Sequence, residues 1–203
     1  MFFIPGDHGR HGLRHNPFKA IVAPRPIAWI STIDAEGRPN LAPFSFFNAV
    51  AEDPPCVVLG ISGTRKRHDQ LKDTAHNLRQ VPEFVVNFAS WRMREAVHQS
   101  GGDFPRGTDE FAALGLETAP SEIVRPPRIA ASPAHLECVV AEIVALPALA
   151  DGRPSHLVLG RVVGLHVAES AVREGRFDLA LAQPLARLGY RDYGALGEVV
   201  ELD

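Results

Sequence analysis

Between Pro24 and Asn48 the chain reads PRPIAWISTIDAEGRPNLAPFSFFN, and no other stretch restricts the fold as much. Ile27 to Ile33 is rich in β-branched residues and reads as a strand. Asp34 to Gly37 supplies turn residues. Leu41 to Phe47 resumes an apolar segment, interrupted by Ser45 and followed by Asn48. Strand, turn and strand follow one another with no helix between them. The same character returns at Cys56 to Ile61, Phe84 to Phe88, His135 to Ala145 and Leu157 to Val167.

Helical signals are few and short. Leu71, Ala75 and Leu78 fall at i, i+4 and i+7, which predicts a helix over Asp69 to Arg79 with Asp69 as N-cap and Pro82 beyond its end. Ser90 can cap a short helix through Gln99, and Glu110 to Leu114 reads as another. Ala119 to Pro133 carries four prolines and reads as extended, and Ala168 to Asp178 as a polar surface segment. Many strands with short helices predict a mainly β barrel with helical decoration. Residues 1–20, rich in Gly, His and basic side chains, read as an N-terminal arm, and residues 21–203 as one domain.

Composition excludes several classes. The chain has 203 residues, 45% of them apolar and 22% charged, with a net charge of −3. That balance suits a globular core and gives no footprint for nucleic acid. No apolar run approaches the ~20 residues that span a bilayer, and the first residues lack secretory-signal character. The expected location is cytoplasmic. Cys56 and Cys138 are the only cysteines, too few for a disulfide framework and not spaced for a metal. The chain lacks both G-x-G-x-x-G and G-x-x-x-x-G-K-[ST], so a nicotinamide donor would not sit on a Rossmann domain.

Two clusters can carry chemistry. Ser62 to Lys66 and the Lys72-Asp73-Thr74 triplet offer hydroxyls, backbone N–H groups and cations, the set a phosphate needs. By itself, Arg65 to Lys72 reads rather as a solvated helix face. Ser45, Phe46, Phe47 and Asn48 place rings beside small polar groups, which suits a flat polar ligand. On the residues alone, a hairpin with a packed end is the favoured reading. If this segment is a strand, Phe46 and Phe47 face opposite ways. His135 and Glu137 share a strand face that excludes Cys138, so they form no nucleophile and base pair.

The ordered set of Arg25, Pro26, Gly37, Asn40, Leu41, Ala42, Pro43, Ser45 and Phe47 resembles the flavin reductase-like family, of FMN-binding split-barrel fold, with flavoredoxin-like members. Lys72-Asp73-Thr74 with Asn77, then Glu83 to Asn87, continues the resemblance, as do Arg187, Leu188, Gly189 and Tyr193. Tyr190 stands where the family has a second Gly, and Arg161 where an acidic residue is common. The resemblance implies a split β-barrel that binds FMN, with FAD as the alternative. It implies Ser62, Thr64, Lys66, Lys72 and Thr74 at the phosphate, and Ser45, Phe46, Phe47 and Asn48 at the ring. Hydride would pass from NADH or NADPH to the flavin. Reduced flavin would then serve oxygen, a partner monooxygenase or another acceptor. A homodimer with flavin near the interface is implied too. A flavoredoxin-type electron carrier, reduced by a partner redox protein, and a flavin-binding module without turnover need the same cradle. No side chain is expected to act as acid or base. His156 and His166 are expected to be structural, and Arg187 and Tyr193 to approach the flavin or a subunit partner.

Overall fold

The computed structural model describes residues 1–63, 71–148 and 151–202. Seven strands build the main sheet: β1 (Ala28–Ile33), β2 (Pro39–Phe44), β3 (Phe47–Glu52), β4 (Pro55–Ser62), β5 (Glu83–Phe88), β6 (Ala134–Leu146) and β7 (Ser155–Val167). Their order is β2-β1-β5-β6-β7-β4-β3, and every neighbouring pair is antiparallel. β2 and β3 end that order on opposite sides, yet only Ser45 and Phe46 separate them in the chain. The sheet therefore curls until its ends meet at this corner. The Gly60 N–H donates to the Phe46 carbonyl at 2.7 Å and pins the corner to β4. The product is a split β-barrel with short helices, as the sequence predicts.

The helices are α1 (Phe18–Ile21), α2 (Asp73–Gln80), α3 (Arg94–Ser100), α4 (Glu110–Ala113) and α5 (Leu179–Ala182). Strand alternation distributes β1 between two cores. Ala28 and Ile30 join the barrel interior with Leu59, Phe84, Cys138 and Val158, and α2 adds Ala75 and Leu78. Trp29 points the other way, against Leu41, Val97, Phe111 and Leu185, and its indole N–H donates to Ser100 Oγ at 2.8 Å. Inside the barrel β7 must have glycine at 160, because a Cβ there would lie 2.3 Å from Phe84 Cζ.

Several boundaries differ from the sequence reading. The apolar segment Leu41 to Phe47 is cut at Ser45, and Phe47–Glu52 forms an exposed edge strand of its own. The expected cap Asp69 lies outside the described residues, and the described helix begins at Asp73. Ser90 makes no side-chain cap, and the chain enters α3 through a 3₁₀ turn at Trp91–Met93. In the segment Ala119 to Pro133, the run 122–126 is bends, flanked by the short paired strands Thr118–Ala119 and Arg128–Ile129. The first 20 residues carry a 3₁₀ turn at Asp7–His11 and the start of α1.

Two late strands, β8 (Leu185–Arg187) and β9 (Tyr193–Ala195), pair with each other, and β8 pairs with Arg25–Pro26. Arg25 organises this end. It is buried, at 6% exposure, and its guanidinium donates to the carbonyls of Lys19, Val22 and Leu188. One side chain thus ties the arm, the first motif and the C-terminal segment together.

Candidate functional site

A groove with two lobes runs along β2. The first lobe, about 330 Å³, is walled by Asn40 to Phe44 without Leu41, by Ser62 and Gly63 at the end of β4, by Lys72 to Thr74 at the start of α2, and by the loop after α3. The second, about 310 Å³, adds Lys19, Arg25, Ser45, His98, Arg187, Tyr190 and Tyr193. Pro43, Phe44 and Gly101 line both lobes, so the two adjoin.

A buried polar network fixes the first lobe. Thr74 Oγ1 donates to Asn40 Oδ1 at 3.0 Å. Asn40 Nδ2 donates to both carboxylate oxygens of Glu110 at 3.0 Å, and the Leu41 N–H to Oε2 at 2.8 Å. Asn77 Nδ2 donates to Thr32 Oγ1 at 3.1 Å. Burial raises the Glu110 pKa despite these donors. The network locks β2, α2 and α4 in one arrangement. Asp73 is paired with Arg106 at 3.3 Å. Lys72 Nζ sits 5.8 Å from the centre of the Phe44 ring. The first turn of α2 has backbone N–H groups with no acceptor inside the helix, which favours an anion at this mouth.

The second lobe is aromatic and basic. The Arg187 guanidinium stacks on Tyr193 at 4.4 Å and donates to the Tyr190 carbonyl at 2.8 Å. The Tyr193 hydroxyl meets His98 Nδ1 at 3.2 Å. Tyr190, where the resemblance expects glycine, has φ of 55°, a conformation that glycine adopts without strain.

Of the residues expected at a phosphate, Ser62, Lys72 and Thr74 come together in the first lobe, whereas Thr64 and Lys66 lie outside the described residues. Thr74 is only 1% exposed and its hydroxyl hydrogen is committed to Asn40, so a ligand would meet it through its backbone. Of the residues expected at a ring, Ser45 lines the second lobe. Phe46 is half-exposed on the corner, with Lys19 Nζ 5.7 Å from its ring centre. Phe47 points into a separate cleft and packs on the barrel core. Asn48 is exposed on β3, and its Oδ1 accepts from the Ala49 N–H at 3.0 Å. The corner at Ser45 and Phe46 resets the alternation, which is why Phe47 and Asn48 leave the groove. Asn40, Glu110, Lys19 and His98 were not among the expected site residues. Nothing local marks Glu110, which meets Asn40 across 70 positions.

The histidines on the long strands each have a partner within the fold. Arg79 Nη2 donates to His156 Nε2 at 2.8 Å, and burial and the Arg79 charge lower its pKa. His135 is pushed down to about 4 by burial, against its bond to the Ile129 carbonyl. Glu137 is fully buried. Against the upward push of burial, the Glu122 N–H, His166 and the N–H groups of Val124 and Ile123 hold it at about 2. Burial pushes the Cys138 thiol up to about 12.

A larger cleft, about 720 Å³, lies between Phe47, Phe88, Leu136, Leu165, Val167 and Phe177. Size does not make it the phosphate site. Its polar members are already engaged: Arg25 with carbonyls, His135 with Ile129 and His166 with Glu137. The smaller groove has the cation, hydroxyl and helix start that a phosphate requires, next to an aromatic lobe that a flat ring requires. Its residues fit FMN.

Comparison with known proteins agrees with this fold. Residues 22–192 match the model of the flavin reductase like domain. An uncharacterized protein of Halalkalibacterium halodurans is 37% identical over 182 residues, 90% of this chain and 86% of that protein. The crystal structure of nitrilotriacetate monooxygenase component B from Bacillus cereus is similar with a TM-score of 0.86 at 29% identity, over 100% of this chain and 98% of that one. A split barrel domain from Shewanella frigidimarina has a TM-score of 0.78 at 22% identity, over 92% of this chain and 89% of that one, a likeness of fold. A matching family model across most of the chain, a split β-barrel and a groove suited to a flavin phosphate lead to one assignment: the chain belongs to the flavin reductase like domain family.

Proposed function

We propose that the chain binds FMN in the two-lobed groove and mediates hydride transfer to it from NADH or NADPH, with the electrons passed to an acceptor or a partner monooxygenase. The observation that carries this reading is the convergence of Ser62, Lys72 and the start of α2 on one lobe that opens directly onto Ser45 and Tyr193. Bound flavin would supply the hydride chemistry. The chain would supply binding and orientation. Lys72 and the first-turn N–H groups would hold the phosphate, and the Ser62 hydroxyl would complete its contacts. Pro43 and Phe44 would form the floor under the connecting chain. Ser45 would orient the polar edge of the ring, and His98 and Tyr193 would close the far side.

The likeness to a monooxygenase component supports a partner enzyme as acceptor. A homodimer is part of the proposal: the edge strand β3 is exposed along most of its length, with Val50 at 53%, and a second copy would cover it. FAD would extend past the phosphate lobe and remains the competing ligand.

Anaerobic mixing of the FMN-loaded protein with NADH and with NADPH, followed by visible absorbance, tests the reading. Fast bleaching with one donor is expected. Flavin that binds but stays oxidised with both donors would replace the reductase with an electron carrier or a non-catalytic flavin module.

A further inference from the structure

Among the described residues, the second lobe holds three cations and no carboxylate. Lys19, Arg25 and Arg187 line it, and neither Asp nor Glu does. Among the described residues none of the three takes part in an ion pair. Arg25 is 6% exposed, its two terminal nitrogens are satisfied only by neutral carbonyls, and its Nε is buried without a partner. Arg187 has only the Tyr190 carbonyl and the Tyr193 ring. Lys19 has the Phe46 ring. Burial and the Arg187 charge lower the Arg25 pKa, as expected of like charges brought together. A fold that gathers cations in a partly enclosed lobe, with no counter-charge of its own, is preorganised for an anion.

The phosphate of a ligand seated in the first lobe cannot also be that anion, so the charge must come from the ligand's other end. This argument rests on the FMN reading above. The oxidised flavin ring is neutral. A hydride, two electrons and one proton, leaves the nicotinamide donor as its oxidised cation and converts the ring to a monoanion. We propose that Lys19 and Arg187, with the buried charge of Arg25 added to theirs, form an anion site for the ring edge of reduced flavin, so that the groove holds reduced FMN more tightly than oxidised FMN. Electrons then leave by contact between an acceptor and the loaded protein rather than by release of reduced flavin. Only an interaction present in one redox state can shift the equilibrium between the two, and a neutral oxidised ring gains little from these cations.

The test needs no nicotinamide. The Kd of oxidised FMN is measured by flavin fluorescence, and the midpoint potential of bound FMN by anaerobic dithionite titration against a reference dye. The wild-type potential should lie above that of free FMN. Lys19→Met and Arg187→Gln should each weaken reduced FMN about tenfold more than oxidised FMN, a fall of about 30 mV for a two-electron couple. Arg187→Lys keeps the charge and should restore most of the potential. Arg25 is left intact because it ties three segments together. A wild-type potential at or below that of free FMN, unchanged potentials in both variants, or equal losses in both redox states would overturn the proposal. Failure of NADH and NADPH to reduce the protein would instead count against the reductase reading, and would leave this measurement decisive for the anion site.

Discussion

Lys72→Ala separates the phosphate end of the groove from the ring end. Lys72 stands at the mouth of the first lobe with Ser62 and Thr74, while Ser45 and Tyr193 lie in the next lobe. A hydrogen bond from a charged donor contributes about 1.5–3 kcal/mol, which is roughly 10- to 150-fold in affinity. The lobe is open to water, and salt screening places the effect toward the lower end of that range. Removal of the ammonium from the Phe44 ring, 5.8 Å away, costs a further ~0.5–1 kcal/mol at most, and it affects any ligand alike. Titration of protein fluorescence with FMN and with riboflavin therefore reads a difference. The variant should lose about tenfold or more for FMN and no more than about fivefold for riboflavin, which has no phosphate. Raised salt should weaken FMN binding by the wild type more than by the variant. Equal losses for both ligands, or none, would remove Lys72 from the phosphate contacts and undercut the orientation of the ligand in the groove.

Other perturbations test the supporting structure. Glu110→Ala strands the Asn40 amide and the Leu41 N–H, which both now donate to the carboxylate, and should cost about 2–5 kcal/mol in urea unfolding; a loss under about 1 kcal/mol would mean the network does not lock the lobe. Tyr190→Gly should relieve the backbone at φ of 55° and hold or raise stability by about 0.5–1 kcal/mol, and a clear fall in melting temperature would show that the Tyr190 ring, 5.4 Å from His15, matters more than the strain. Acid should unfold the protein in two stages. His135, held down to about 4, is neutral in the fold while the unfolded chain takes up the proton first, so about 3 kcal/mol is present above pH 6.5 and lost as pH falls through 4. Glu137, held at about 2, contributes about 3 kcal/mol above pH 4.5 that is lost as pH falls toward 2. Urea midpoints between pH 7 and pH 3 should show both slopes, His135→Gln should flatten the upper one, and an unchanged upper slope would contradict its assignment.

Much of the barrel was legible because its inner strands announce themselves chemically. β4, β5 and the long β6–β7 pair are rich in Val, Ile and Leu, β1 carries Ile, Thr and Trp, and the alternation of β6 already separates Cys138 from His135 and Glu137. β3 was missed because NAVAE is small, mixed and exposed, the composition of an edge that relies on its neighbour for pairing. The first lobe was half legible: the Lys72-Asp73-Thr74 triplet follows from the resemblance, and the structure sets it beside Ser62. The phosphate roles of Thr64 and Lys66 are not addressed, since both lie outside the described residues. Phe47 and Asn48 were placed at the ring with the resemblance, and the corner at Ser45 and Phe46 sets both outside the lining of the two lobes. Asn40 with Glu110, and Arg25 with the Leu188 carbonyl 163 positions away, join segments whose meeting depends on barrel closure. No local pattern encodes such pairs.

A crystal structure of the protein with FMN bound tests the central claim most directly. The account predicts phosphate density bounded by Ser62, Lys72 and the first turn of α2, with the ring over Pro43 and Phe44 toward Ser45 and Tyr193. Flavin seated instead in the apolar cleft beside Phe47 and Leu165, or a phosphate pointing away from Lys72, would contradict it.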